Sequence, residues 1–321
     1  GMLPVVALLP ALGLDWLQAR LSARPLHALP RVLLLLPALL WGIELTSTTT
    51  DYFIRYAEAP LAYHWFEAGP VELVGEINTL RGAGWDGAQL LHGPESGRII
   101  YLDAQLWDSW TAIPFLVPQE QVCFLPAEKV PGATSQAFIV WRYRDWAPEV
   151  WPLITHPAYL RVREGPQSQD DKEPEPTTIA LIIQADPVPE IPVAVAHFED
   201  GPTLHAALVT PEEEGARVQL WWRAESAPTA EYTVFVHYLR DDEQLAQHDS
   251  PPGGGQLPTT RWQAGDLILD EHRLPGITPD PARDTLRIGL YRRDNGAGLS
   301  VLDKAGNPAG GWIERAVILS E

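Results

Sequence analysis

The 321-residue chain has very little cysteine, methionine or lysine. It contains one Cys, one Met and three Lys. A single cysteine, Cys123, excludes an intrachain disulfide and a cysteine metal cluster. Cys123 lies inside an apolar strand candidate, Gln121–Leu125, which favours a buried, unreactive thiol over a nucleophile.

Several motifs that carry known chemistry are missing from the sequence. No G-x-G-x-x-G loop follows a strand candidate, and no G-x-x-x-x-G-K-[ST] run occurs, so nucleotide binding has no support. The G-x-S-x-G turn of serine hydrolases is also missing. We therefore predict no cofactor, no metal ion and no catalytic residue for this chain.

The charge is strongly one-sided. Acidic residues number 42 against 23 Lys and Arg, which gives a net charge of -19. Such a surface repels phosphate backbones and excludes nucleic acid as a general partner. The net charge is +1 over residues 1–50, -7 over 51–160, -4 over 161–190 and -9 over 191–321. The apolar N-terminal part and the acidic remainder are therefore expected to face different surroundings.

Two apolar runs occupy the N-terminal part. Leu3–Leu17 is apolar except for Asp15, and Val32–Ile43 is apolar throughout. The loop between them carries arginine and no acid, which is typical of a cytoplasmic loop. The second run is shorter than the roughly 20 residues that a membrane span needs. A hairpin buried in a soluble protein is the alternative interpretation.

We predict an apolar, transmembrane helical hairpin over residues 1–47, with membrane lipid as its partner. Residues 48–321 would then lie outside the cytoplasm at the cell membrane. Residues 48–164 alternate helix and strand candidates, which predicts a small external α/β domain. Residues 165–190 form a proline- and acid-rich linker that ends in a strand candidate, Thr178–Ile183.

Residues 191–321 have the pattern of a β-sandwich of jelly-roll type. Short strand candidates follow one another at intervals of roughly ten residues, with Gly, Pro and Asp between them. The adjacent residues Trp221 and Trp222 must face opposite sides of their strand, so one of them is expected in the core. The predicted fold class is thus multi-domain, with a helical hairpin, an α/β unit and an all-β sandwich.

Two parts of the sequence resemble a known family. Thr48–Leu80 resembles the segment after the last membrane helix of bacterial GT-C type membrane glycosyltransferases, the dolichyl-phosphate-mannose–protein mannosyltransferase-like group. Other runs resemble a β-sandwich module that is often attached to such enzymes. They are Tyr232–Tyr238 (YTVFVHY), Ala246–Asp249 (AQHD), Pro251–Gly255 (PPGGG), Pro258–Trp262 (PTTRW), Gly265–Asp270 (GDLILD) and Arg287–Tyr291 (RIGLY).

The resemblance implies a lipid-linked sugar donor and catalysis outside the membrane. It also implies that the catalytic acid lies far N-terminal of this chain, so no catalytic residue can be carried over. The resulting hypothesis is a non-catalytic C-terminal portion of a membrane glycosyltransferase, whose external domains position acceptor or glycan. The alternatives are a membrane-anchored carbohydrate-binding or cell-surface protein without catalysis, and a soluble hydrolase with an unrecognised carboxylate pair.

Polar and aromatic residues of the sandwich are the candidate glycan-binding residues. Trp262 follows Thr259–Arg261 in a predicted loop, where an exposed ring could stack on a sugar. The other candidates are His237, Gln247, Asp249, Asp270 and Tyr291. For the polar candidates, together with His272, the alternative role is hydrogen bonding that fixes the turn over 251–260. Their spacing matches no standard metal loop.

Overall fold

The computed structural model describes residues 12–13, 16, 19–20, 30–56, 59–93, 96–170 and 172–320, with the backbone alone for 30–38 and 60–61. The chain divides into two compact units, Gly1–Phe66 and Glu67–Glu321. In the first unit, helix α1 (Pro30–Thr50) continues as a π-helix over Asp51–Tyr56, and α2 covers Pro60–Trp65.

The predicted transmembrane hairpin over residues 1–47 is wrong. Among the residues that the structure describes, no helix is long and apolar enough to cross a membrane. The apolar part of α1 is short because Glu44 and the polar run 46–50 occupy its C-terminal end. The first apolar run, Leu3–Leu17, lies largely outside the described residues.

Short helices lie in the first part of the second unit. They are α3 (Ala68–Arg81), α4 (Ala104–Ser109), α5 (Ala112–Leu116) and α6 (Ala147–Val150). Helix α3 buries Leu73, Val74 and Ile77. It ends at Gly82, whose φ of 77° is the left-handed conformation that glycine adopts without strain.

Most of the second unit is β-structure. Its strands are β1 (Ala83–Trp85), β2 (Leu90–His92), β3 (Ile99–Asp103), β4 (Cys123–Leu125), β5 (Gln136–Trp141), β6 (Tyr159–Glu164), β7 (Gln167–Ser168), β8 (Thr177–Thr178), β9 (Ala180–Asp186), β10 (Ala196–Phe198), β11 (Pro202–Glu212), β12 (Gly215–Ala224), β13 (Tyr232–Arg240), β14 (Glu243–Ser250), β15 (Leu267–Pro275), β16 (Asp284–Arg292), β17 (Val301–Leu302), β18 (Pro308–Gly310) and β19 (Ile313–Ala316).

One large mixed sheet replaces the predicted separate α/β unit and sandwich. Its 11 strands follow the order β18-β17-β10-β11-β12-β15-β6-β9-β5-β3-β4. A second sheet has the order β14-β13-β16-β19. The predicted fold class is therefore wrong, because the parallel pairing of β6 with β15 joins strands of both predicted domains. The strand predicted at the end of the 165–190 segment is confirmed as β9, a central strand of this sheet.

Two apolar cores lie against the large sheet. The first joins the inner faces of the two sheets, with Trp222 and Leu220 of β12 against Val236 of β13 and Ile288 of β16. It continues past Leu160 of β6 to the side chains beneath α6. The second core lies between helices α3 to α5 and the strands β3, β5 and β9. The large sheet is therefore covered on different faces along its length.

A buried carboxylate fixes the joint between β6 and β15. Asp266 has no exposed surface, and its Oδ1 accepts the N–H of Ala158 at 2.9 Å. Its Oδ2 accepts the N–H of Gln263 at 2.8 Å, and Nδ1 of His156 lies 2.9 Å from both oxygens. Leu267 N–H then donates to Ala158 C=O at 3.0 Å, which starts the parallel pair.

The first prediction concerns this joint. We expect Asp266→Ala to lower the free energy of unfolding by about 3–5 kcal/mol, because it leaves buried N–H groups without an acceptor. Urea denaturation measures the loss. The control is Asp86→Ala, which removes a partly exposed carboxylate that accepts the N–H groups of Ala88 and Gln89. An equal loss in the two variants would contradict a special role for Asp266.

Candidate functional site

A cleft opens where β6 and β15 separate. The two strands pair in parallel only at Leu267↔Tyr159 and Ile268↔Leu160. Beyond this point β6 continues to pair with β9, and β15 continues to pair with β12. The cleft between them has a volume of about 760 Å³, within the range of small-ligand sites.

We call this cavity the arginine cleft. Its lining residues are Arg161, Val162, Arg163, Glu164, Leu181, Gln184, Arg217, Gln219, His248, Gly253, Gly254, Gln256, Leu269, Glu271 and Arg273. The lining holds four arginines and two glutamates. The cleft thus concentrates positive charge in a chain whose net charge is -19.

On one wall, acids outside the cleft hold the arginines of β6. Arg161 Nη2 lies 3.3 Å from Asp186, and Arg163 Nη1 lies 2.9 Å from Glu76. Arg161 Nε is buried and has no hydrogen-bond partner among the described residues. Each guanidinium carries five N–H donors, so one acid contact leaves donors for another acceptor.

On the other wall, two arginines lie directly opposite each other. Arg217 of β12 and Arg273 of β15 are cross-strand partners. Arg217 has acidic neighbours, with Nε 3.1 Å from Glu212 and Nη1 3.6 Å from Glu271. Arg273 is exposed and forms no ion pair with any described residue. Both nearby carboxylates contact Arg217, so Arg273 is the guanidinium of this pair that lacks an acidic partner among the described residues.

A chain of buried polar groups lies beneath the cleft. Asp270 and His272 have no exposed surface. His272 Nε2 donates to Asp270 Oδ2 at 3.0 Å, and His272 Nδ1 lies 2.9 Å from Nδ1 of His248. Asp270 Oδ1 also accepts the N–H of Gly253, at 2.9 Å, in the glycine turn of the cleft floor.

The contact between the two imidazoles restricts their protonation. A hydrogen bond between two Nδ1 atoms needs one proton, so His248 Nδ1–H donates to His272 when both rings are neutral. A second proton would place two N–H groups against each other. Burial lowers the pKa of His248. His248 therefore lines the cleft as a neutral ring.

Trp262, the predicted exposed ring, is a core residue. Only 1% of its surface is exposed, and its Nε1–H donates to the Leu257 carbonyl at 2.9 Å. The expectation of an exposed loop ring is therefore wrong, because a short 3₁₀ turn over Thr259–Arg261 directs the ring inward. For Asp270, the alternative role in fixing the turn is confirmed by its bond to Gly253.

The remaining sequence candidates meet on the outer face of the smaller sheet. His237 lies opposite Gln247 in register, and Tyr291 Oη donates to Asp249 Oδ2 at 3.3 Å. The Phe235 ring lies between them, with centroids 5.0 Å from His237 and 6.4 Å from Tyr291. Burial lowers the pKa of His237. This cluster is separate from the arginine cleft, and no group of three or more metal-ligating residues occurs in the described part of the chain.

The arginines of the cleft were not among the sequence candidates. Their signal was the Arg161–Arg163 alternation within a strand of an acidic chain, which places both guanidiniums on one face. The other wall has no such signal in the sequence. Arg217 and Arg273 are far apart along the chain, although their strands are neighbours in the sheet. Only the pairing of β6 with β15 brings the two walls together.

Comparisons with known proteins add little to this site. No family model matches the chain, and no curated protein matches it. A crystal structure of an endonuclease/exonuclease/phosphatase from Beutenbergia cavernae is similar with a TM-score of 0.17 and 13% identity, over 52% of this chain and 54% of that one. The chain thus spans about half the length of that structure. A likeness at this TM-score carries no argument about fold or activity.

Three descriptions predicted from the sequence are not supported: transmembrane, glycosyltransferase and carbohydrate-binding. A transmembrane helix is not found among the described residues. The glycosyltransferase and carbohydrate-binding descriptions receive no support from the comparisons. The physical reason on the structural side is the burial of Trp262, which removes the aromatic ring on which the glycan interpretation chiefly depended.

The second prediction concerns His248. Because its pKa in the folded chain is lowered, its contribution to stability is present above the usual histidine pKa of about 6.5 and is lost as the pH falls. We expect the free energy of unfolding to decrease from pH 7.5 to 5.5, and to decrease less in His248→Gln. Urea denaturation at each pH measures the difference.

The control for this pH dependence is His92→Gln, at an exposed position of β2. It should keep the pH dependence of the parent chain. If His248→Gln also keeps the full dependence, His248 does not contribute to it.

Proposed function

We propose that residues 67–321 form a non-catalytic binding region that holds an anionic ligand in the arginine cleft. The chemistry of the walls supports this proposal. Guanidinium groups recognise carboxylate and phosphate oxygens through paired N–H donors. The lining contains four such groups, and three glutamines add neutral donors and acceptors. A cavity lined by several arginines attracts anions, even though the chain as a whole is acidic.

The observation that carries the proposal is the Arg217–Arg273 pair. The two side chains lie directly opposite each other, and Arg273 has no acidic partner among the described residues. An anion beside Arg273 would supply the acidic partner that this guanidinium lacks.

The proposal agrees with one part of the resemblance described above, namely that this chain binds and positions rather than catalyses. A parent enzyme with a lipid-linked donor stays a prediction. The proposal itself requires only that the ligand carry carboxylate or phosphate groups.

The exposed apolar surface of the first unit favours a second function, association with membrane lipid. The large apolar side chains that are at least half exposed there are Leu12, Trp16, Leu39, Leu40, Trp41, Ile43, Leu45, Tyr52, Phe53, Ile54, Tyr56, Trp65 and Phe66. So many exposed apolar side chains in one unit favour a contact site. Aromatic side chains are enriched where a protein meets the lipid interface, so lipid fits this surface better than a polar partner.

The third prediction tests the anion site. Titration calorimetry with citrate and with pyrophosphate should show saturable binding to the full chain. We expect Arg273→Gln to weaken this binding by about tenfold or more, because one charge-assisted contact is lost. Its free energy of unfolding should change little, because Arg273 is exposed and forms no ion pair with a described residue.

The matched control is Arg293→Gln, an exposed arginine outside the cleft whose Nη1 lies 3.4 Å from Glu231. It should leave anion binding unchanged. The proposal fails if neither anion binds, or if the two variants weaken binding equally.

The fourth prediction tests lipid association. The full chain should float with phosphatidylcholine vesicles in a density gradient. Replacing Phe53 and Phe66 by Ser should reduce the bound fraction by about tenfold or more, because two exposed rings no longer enter the lipid. Phe115→Ser, an exposed phenylalanine of the second unit, is the control and should float normally. Absence of flotation by the parent chain would exclude this function.

A further inference from the structure

Beyond Ile268, the edge of β15 that borders the cleft pairs with no strand in the described part of the chain. Leu267 N–H donates to Ala158 C=O, so the odd-numbered residues of β15 turn their backbone groups toward β6. The pairing with β6 stops after Ile268. The N–H and C=O groups of Glu271 and Arg273 therefore face the cleft.

The edge of β6 is open in the same way. Gly165 N–H donates to Ala180 C=O at 2.8 Å, so odd-numbered residues at this end of β6 face β9. The even-numbered residues face the other side. Because the pairing with β15 stops after Leu160, the backbone groups of Val162 and Glu164 point into the cleft.

The two sides of the cleft differ in chemistry. Tyr159 of β6 and Trp221 of β12 contact each other with ring centroids 6.0 Å apart, so the odd-numbered residues of both strands share one face. Arg161, Arg163 and Arg217 lie on that face. On the opposite side, Val162 and the glycine turn form the floor, where a Cβ added at Gly253 would lie 2.7 Å from Val162 Cγ1.

We infer that the arginine cleft takes an extended acidic peptide segment, which adds as a strand between β6 and β15. This inference rests on the proposed anion site and names its ligand class. Open strand edges bind an added strand through main-chain hydrogen bonds. Here two such edges border one cavity, so an inserted strand would be paired on both sides.

Charge and periodicity decide which peptide fits. Side chains alternate across a strand, so every second residue of the peptide would face the arginines. Glutamate or aspartate at those positions matches the four guanidiniums of the lining. The intervening residues would face Val162 and the glycine turn, which favours small apolar side chains. A small free anion would use the arginines and leave the strand edges unpaired.

The experiment is fluorescence anisotropy on the full chain with a labelled peptide, Glu-Val-Glu-Val-Glu-Val. The matched control peptide has the same sequence and charge but N-methylated valines, which cannot donate main-chain hydrogen bonds. We expect the unmodified peptide to bind and the methylated peptide to bind at least about tenfold more weakly. Citrate should compete with the unmodified peptide.

The other outcomes distinguish a failure of strand addition from a failure of the anion site. Equal binding of the two peptides would overturn strand addition and leave the anion site intact. Binding of citrate or pyrophosphate without binding of either peptide would do the same. If no anion and no peptide bind, the anion site fails and the strand inference fails with it.

Discussion

The structure of the second unit depends on the Asp266 carboxylate. It accepts two backbone N–H groups and contacts His156, with no exposed surface of its own. These bonds hold the chain before β6 against the chain before β15 over a sequence separation of more than 100 residues. Because β15 also pairs with β12 and β6 also pairs with β9, this joint unites two groups of strands into one large sheet. The buried bonds compensate for removing the charge from water.

The same joint accounts for the cleft. Asp266 starts the parallel pair, but only two residue pairs form before the strands follow β9 and β12 in different directions. The gap exposes strand edges, and arginines on both walls surround it with positive charge. Asp270 and His272 hold the glycine turn and His248 beneath the gap. Structure and site therefore have one physical origin, the short contact between β6 and β15.

Local pattern predicted the elements better than their arrangement. Strand candidates such as Tyr232–Leu239 and Arg217–Arg223 correspond to β13 and β12, because alternation is a property of the strand itself. Trp222 is buried while Trp221 is partly exposed, as alternation requires. The β6–β15 pairing was not predictable, since two residue pairs leave no pattern in the sequence. Consequently the arginine cleft was missed.

Backbone amide exchange of the full chain, with and without saturating citrate, tests most directly whether the arginine cleft is the ligand site. The assignment of the arginine cleft predicts slower exchange confined to the segments that line the cleft, chiefly strands β6, β12 and β15 and the glycine turn at Pro252–Gly255. Slower exchange on the outer face of β13 and β16 alone, or no change anywhere, would contradict the assignment of the arginine cleft as the ligand site.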